Sequence, residues 1–291
     1  MGSTRWESLF DHVWRSRLWS VGAEWSADFL SLIYPTSCVV CEAWDVSLCQ
    51  PCGEQVCRAT IQPRHAEDWA ESLPVHSLRG SPLPVLAAGI YAGALARTVL
   101  AYKNHGHTDV GRVLATALAR SLHIARHQAF GQDHPELLIV PVPTRAGSLR
   151  RRGYDPVRML VTGLQSRGEL PDGCSVSPAV VQLGVLTAGN PEELRRALTG
   201  VRAAARRRTR SQKGLGSRGR RANVAGSMTV ADRFAGRLEG RHCLVVDDVL
   251  TTGSTIAEVD RVLRSERAVV VGAVVLAATP PPGLTSCSLG K

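Results

Sequence analysis

Aromatic residues are scarce in this chain, at 5%, and methionine occurs only three times. No apolar run approaches the ~20 residues that a membrane-spanning helix requires, so a spanning protein is excluded as the expectation. The first residues carry Glu7 and Asp11 among aromatics, without the basic-then-apolar order of a secretory leader. A cytoplasmic protein is therefore expected. Acidic residues are missing altogether from Arg195 to Arg221, where eleven Arg or Lys gather. Outside that segment the net charge is about −1, against +10 for the whole chain. Such a patch suits polyanions, either nucleic acid or a pyrophosphate, while a solvated Arg-rich loop is an equally ordinary reading. The few aromatics near it argue against a single-strand binder that works by base stacking.

What is present is enough for a full core. At 291 residues and 44% hydrophobic, the chain can bury one α/β domain and still carry a smaller module. All six tryptophans fall between Trp6 and Trp69 and are expected to pack that N-terminal module; a membrane-surface helix is the alternative. A helical pattern from Glu24 to Tyr34 stops at Pro35. The expected division is 1–60 for the N-terminal helix and cysteine module, 61–279 for the larger domain, and 280–291 for a disordered tail that opens on Pro280-Pro281-Pro282.

Four of the eight cysteines fall as Cys38-x2-Cys41-x7-Cys49-x2-Cys52. Paired CxxC hooks offer four thiolates in the pattern of a structural zinc site, of a compact knuckle or ribbon type. Disulfides compete, but a reducing compartment disfavours them, and redox CxxC motifs normally come singly. Cys57 is a spare thiol or an alternative ligand, and Cys174, Cys243 and Cys287 stand alone.

The most informative stretch runs from Cys243 to Thr255. Cys243 to Val246 has the length and branching of a buried strand, and Asp247 and Asp248 follow. Thr251, Thr252, Gly253, Ser254 and Thr255 form a small-residue loop, after which Ile256, Val259 and Leu263 recur at helical spacing. A strand, a loop of small residues and a helix start together make a phosphate cradle, because backbone N–H groups converge there. Two adjacent carboxylates beside it repel each other unless hydroxyls or a magnesium ion compensate them. The run resembles the loop that binds phosphoribosyl pyrophosphate (PRPP) in type I phosphoribosyltransferases.

Leu137 to Val142 is a second apolar strand, followed by Pro143, Arg145 and the loop Arg150-Arg151-Arg152-Gly153-Tyr154-Asp155. Arginines beyond a strand end make a second anion cradle or a solvated loop. Ligands of α/β sheets collect at the carboxyl ends of strands, so this loop and the first can face one site. A helix is expected from Val157 through Leu164, another from Leu95 to Asn104 carrying Tyr102-Lys103, and a third from Val110 after Gly106. Lys103 is either a phosphate ligand or a solvated helix-end residue. The Gly-rich stretch from Lys213 to Gly219, between Thr209-Arg210-Ser211-Gln212 and Arg221-Ala222-Asn223-Val224, reads as a lid over bound substrate. Ala268 to Ala277 is a further long strand, consistent with a parallel sheet buried on both faces.

Taken in order, the zinc hooks, Tyr102-Lys103, Pro141-Val142-Pro143 with Arg-Arg-Gly-Tyr, Ser211-Gln212 with Asn223, and Asp-Asp-x-x-Thr-Thr-Gly resemble the ComF family of competence-associated proteins. Two features depart from that family: Asp155-Pro156 stands where it has an amide pair or Asp-Gln, and Gly184 to Ala205 is longer than its usual connection. The resemblance implies an α/β fold with a type I phosphoribosyltransferase-like, mainly parallel sheet and flanking helices, plus a small N-terminal four-cysteine zinc module. It implies that Asp247 and Asp248 bind ribose hydroxyls directly or through magnesium, and that Thr251, Thr252, Gly253, Ser254 and Thr255 hold the 5′-phosphate. The loop with Arg145, Arg152 and Gly153 would hold pyrophosphate, with Lys103, and with Arg210 or Lys213 on the lid. The implied activity is phosphoribosyl transfer from PRPP to an unidentified acceptor. The alternative is a non-catalytic binding or assembly protein of the DNA-uptake machinery, acting on single-stranded DNA beside a competence helicase. A sensor of PRPP or a nucleotide would use the same site.

Overall fold

Long runs of branched aliphatic residues give this chain strands that are buried on both sides, and the rest of the fold follows from covering them. The computed structural model describes residues 37–75, 80–104, 107–133, 135–183 and 226–281. The expected Glu24–Tyr34 helix, Gly106, Cys287, the Arg195–Arg221 segment with its glycine-rich lid, Asn223 and the tail beyond Pro281 lie outside those residues. The chain divides into two compact units, Met1–Cys52 and Gly53–Lys291.

In the first unit, the described residues form a tight knuckle. The Cys38 N–H donates to the Ala43 carbonyl at 2.7 Å, Glu42 N–H to Cys38 at 2.8 Å and Val39 N–H to Ser47 at 3.0 Å. Glu42 and Asp45 take left-handed backbone conformations to make these reversals. Helix α1 (Gln50–Ala59) begins two residues before Cys52. Of the six tryptophans expected to pack this module, Trp44 and Trp69 are among the described residues. Trp44 is 74% exposed, and Trp69 packs against the core of the second unit.

The second unit is built on a six-stranded sheet. Its strands are β1 (Arg64–His65), β2 (Val85–Ile90), β3 (Leu137–Pro141), β4 (Cys174–Val176), β7 (His242–Leu250) and β8 (Val269–Ala278), in the spatial order β1-β2-β8-β7-β3-β4. Only β1 runs antiparallel to its neighbour; the other four pairings are parallel. Strands β5 (Val180–Gln182) and β6 (Met228–Val230) form a separate antiparallel pair.

Side chains alternate across a strand, and both faces here are covered. Leu138, Val140, Val245 and Val275 join a core with Ile256 and Val259 of helix α6 (Ser254–Ser265), and with Val180 and Met228 of the small pair. The alternate residues Ile139, Leu244 and Val274 are also buried. Their face is closed by helices α3 (Gly111–Phe130) and α5 (Pro156–Ser166), whose Leu114, Leu118, Leu122, Leu160 and Leu164 are buried. Full burial of each such leucine is worth about 1.5–3 kcal/mol. Helix α2 (Gly93–Asn104) follows β2, and the short helix α4 (Ala146–Arg152) follows β3. The mainly parallel α/β architecture matches the expectation. Among the described helices none is long and apolar enough to cross a membrane.

Candidate functional site

Parallel pairing of β2, β8, β7, β3 and β4 brings all their carboxyl ends to one edge, where the connecting loops must meet. Strand β7 is longer than the apolar run that signals it. It continues through Asp247, Asp248 and Val249 to Leu250, so the carboxylates lie on the strand and not in the following loop. Pairing with β8 extends that far, joining Asp247 to Val275 and Leu250 to Ala278 in register. Adjacent strand residues face opposite ways, which sends the two carboxylates to different partners.

Lys103, at the last turn of α2, places its Nζ 2.6 Å from Asp248 Oδ2. Asp247 Oδ1 accepts the N–H of Asp248 at 2.8 Å. Burial and the neighbouring Asp248 charge push the Asp247 carboxyl up to about 7, against the smaller opposing effects of that N–H and of Lys103. A carboxylate pair with one nearby cation is short of positive charge, and hydroxyl donors or a divalent ion would supply it. Carboxylate oxygens are the ligands magnesium prefers, so the residues present fit that ion.

The loop after β7 is short and shaped by Gly253. Its φ of 78° is left-handed, and a Cβ there would lie 2.8 Å from the Leu73 side chain. The Ser72 N–H donates to Thr252 O at 2.9 Å and fixes the same approach. The Thr252 and Ser254 hydroxyls are hydrogen bonded to each other, and Ser254 opens α6. Thr255 follows, so a 12-residue helix starts four residues after the end of β7, and the first N–H groups of a helix lack intrahelical partners.

The arginine segment after β3 is not an open loop. Residues Ala146–Arg152 form α4, capped by Arg145 before it and by left-handed Gly153, with Arg150, Arg151 and Arg152 in its last turn. Cations there complement the negative end of the helix. Among the described residues Arg145, Arg150, Arg151 and Arg152 form no ion pair, and Arg152 Nε is buried without an acceptor. An orphaned buried guanidinium donor is a place an anion fits. Tyr154 donates its hydroxyl to the Tyr102 carbonyl, one residue before Lys103, which joins this segment to the Lys103–Asp248 pair. The structure thus gathers Lys103, Asp247, Asp248, Thr251–Thr255 and the Gly153 end of α4 at one sheet edge. Arg145 lies exposed at the start of α4, and Arg210 and Lys213 lie outside the described residues.

Three contacts at the site could not be read from the sequence. Gln182 of β5 donates its amide N–H to the Pro143 carbonyl at 3.3 Å, and the Leu73 wall and Tyr154 tether arise from tertiary contacts alone. A cavity of about 470 Å³ lies at the opposite end of the strands, lined by His65, Phe130, His242 and Val269, and is separate from this crevice.

In the first unit, the sulfurs of Cys38, Cys41, Cys49 and Cys52 all lie within 4.8 Å of one another. Cys38 and Cys49 are 3.7 Å apart, and Cys41 and Cys49 3.5 Å. These are not disulfide distances, which are about 2.05 Å. They match the edge of about 3.8 Å of a tetrahedron with metal–sulfur bonds of about 2.3 Å. The cluster fits a structural zinc ion.

The family model of the phosphoribosyl transferase domain matches residues 193–284, which span β7, the Asp pair, the Thr251–Thr255 loop, α6 and β8. No curated protein matches the chain. Among solved structures, adenine phosphoribosyltransferase from Leishmania donovani is similar at 13% identity and a TM-score of 0.30, over 78% of this chain and 67% of that one. The family match lies wholly within the second unit and covers part of its mainly parallel α/β sheet, and the four-cysteine cluster belongs to the first unit.

Proposed function

We propose that this chain is a ComF-like protein that binds PRPP, or a related ribose phosphate, with magnesium and transfers the phosphoribosyl group to an acceptor. The carrying observation is the Asp247–Asp248–Lys103 cluster beside Gly253 and the start of α6. Asp247 and Asp248 accept from the ribose hydroxyls. Thr251, Thr252, Gly253, Ser254 and Thr255 hold the 5′-phosphate through N–H and hydroxyl donors. Arg152, Gly153 and Arg145 receive the pyrophosphate, with Lys103 at its other side and Arg210 and Lys213 closing over it.

The bond from the anomeric carbon to the pyrophosphate oxygen breaks, its electron pair leaves with pyrophosphate, and the acceptor's lone pair forms the new bond on that carbon. The arginines and Lys103 stabilise charge that grows on the leaving group, and Asp247 and Asp248 sit beside the electron-poor ribose. Bound magnesium would add neutralisation of the pyrophosphate oxygens. Residues 61–279 constitute the transferase-like domain, residues 1–60 carry a structural zinc on Cys38, Cys41, Cys49 and Cys52, and the protein acts in the cytoplasm. Pyrophosphate release from PRPP against a panel of nucleobases tests the transferase reading; release stimulated by one base and lost in Asp247→Asn/Asp248→Asn supports it, and no release with any base counts against it.

The Arg195–Arg221 segment favours a second reading, in which the same fold holds single-stranded DNA in the uptake machinery beside a helicase. DNA affinity that falls steeply with salt, in a chain that leaves PRPP untouched, would select it.

A further inference from the structure

Residues 144–155 leave the sheet after β3 and return as the start of α5. None of the residues of α4 within that excursion is fully buried, so the bonds at its ends add to what packing alone would hold. Asp155 ties both ends: Oδ2 accepts the Thr144 N–H at 3.1 Å, and Oδ1 accepts the Arg158 N–H at 3.2 Å. The first bond closes the excursion at its beginning. The second caps α5, whose N1 residue is Pro156. Next to it, Tyr154 is tethered to the residue preceding Lys103, and the Tyr102 hydroxyl donates to the Pro156 carbonyl at 3.3 Å.

We infer that Asp155 is a positioning residue that holds the arginines of α4 toward the Asp247–Thr255 crevice by gripping the Thr144 and Arg158 amides with one oxygen each. It thereby sets affinity for the pyrophosphate end of the substrate and not for the ribose phosphate end. The inference rests on the phosphoribosyl reading above. Two backbone donors demand two acceptor oxygens, which only a carboxylate of this length offers. Asparagine turns an NH2 toward one of them, and serine has a single oxygen that can cap α5 but cannot also reach Thr144.

The test uses the full-length, zinc-loaded chain and calorimetric titration with PRPP and, separately, ribose 5-phosphate, each with magnesium. Asp155→Ser should retain the thermal midpoint to within about 2 °C, because the cap survives. Its PRPP affinity should fall about tenfold, while its ribose 5-phosphate affinity stays within about twofold. Asp155→Asn should show the same split. Equal losses for both ligands, or none for either, would overturn the positioning role and leave a simple helix cap. A wild type that binds neither ligand would overturn the phosphoribosyl reading and this inference with it.

Discussion

Two places in this chain crowd like-charged ligand atoms together, and they solve the problem differently. In the first unit, four sulfurs lie within 4.8 Å of one another. Backbone N–H groups hold the Cys38 thiol down at about 6 despite its burial, whereas burial and the neighbouring thiols push Cys52 well up. At the sheet edge, two adjacent carboxylates are met by an internal cation, Lys103, and one of them is pushed up toward neutrality. The first arrangement is the donor set of a structural metal ion. The second carries its own compensating cation within the fold.

The sharpest break comes from the cysteines. Cys38→Ser with Cys52→Ser should take bound zinc from about one per chain to nearly none by elemental analysis, since each hook loses a thiolate. Zinc retention by the double variant would contradict the tetrahedral reading. At the sheet edge, Gly253→Ala should cost about 1–3 kcal/mol of stability, from left-handed strain and the 2.8 Å approach of Leu73, and appear as a fall of several degrees in the thermal midpoint.

A smaller effect concerns pH. The Asp247 carboxyl is raised, so its contribution to the stability of the ligand-free protein is present below the ordinary carboxylate range and is lost as pH climbs through about 7. Ligand affinity should move the other way, strengthening as pH rises through the same window and Asp247 ionises. Lys103→Ala removes a charge that favours ionisation, so the midpoint of that affinity profile should shift upward. A profile flat across the window in the wild type would show that Asp247 does not titrate with binding.

Much of the fold was legible because its signals are local. Cys243–Val246, the Ile256–Val259–Leu263 spacing and Ala268–Ala277 are continuous or periodic apolar patterns, and β7, α6 and β8 appear where they predict. The end of β7 was not, because Asp247 and Asp248 look like loop residues until β8 is seen to pair with them. Helix α4 was invisible as a helix. With no fully buried residue, it has no apolar face to announce it. Strands β1, β4, β5 and β6 have only two or three residues each, too few for any period. Asp155 shows the intermediate case. Asp before Pro before an apolar-periodic run is a helix-start signature readable in sequence, yet the grip of its second oxygen on Thr144 depends on where β3 ends.

The central claim is that the Asp247–Thr255 edge holds a sugar phosphate. Calorimetric titration of the zinc-loaded chain with PRPP and magnesium, beside Asp247→Asn/Asp248→Asn, tests it most directly. The account predicts saturable binding by the wild type, weakened about 100-fold or more in the variant, since two charge-assisted hydrogen-bonding sites are lost. Binding of equal strength by both proteins, or none by the folded wild type, would contradict it.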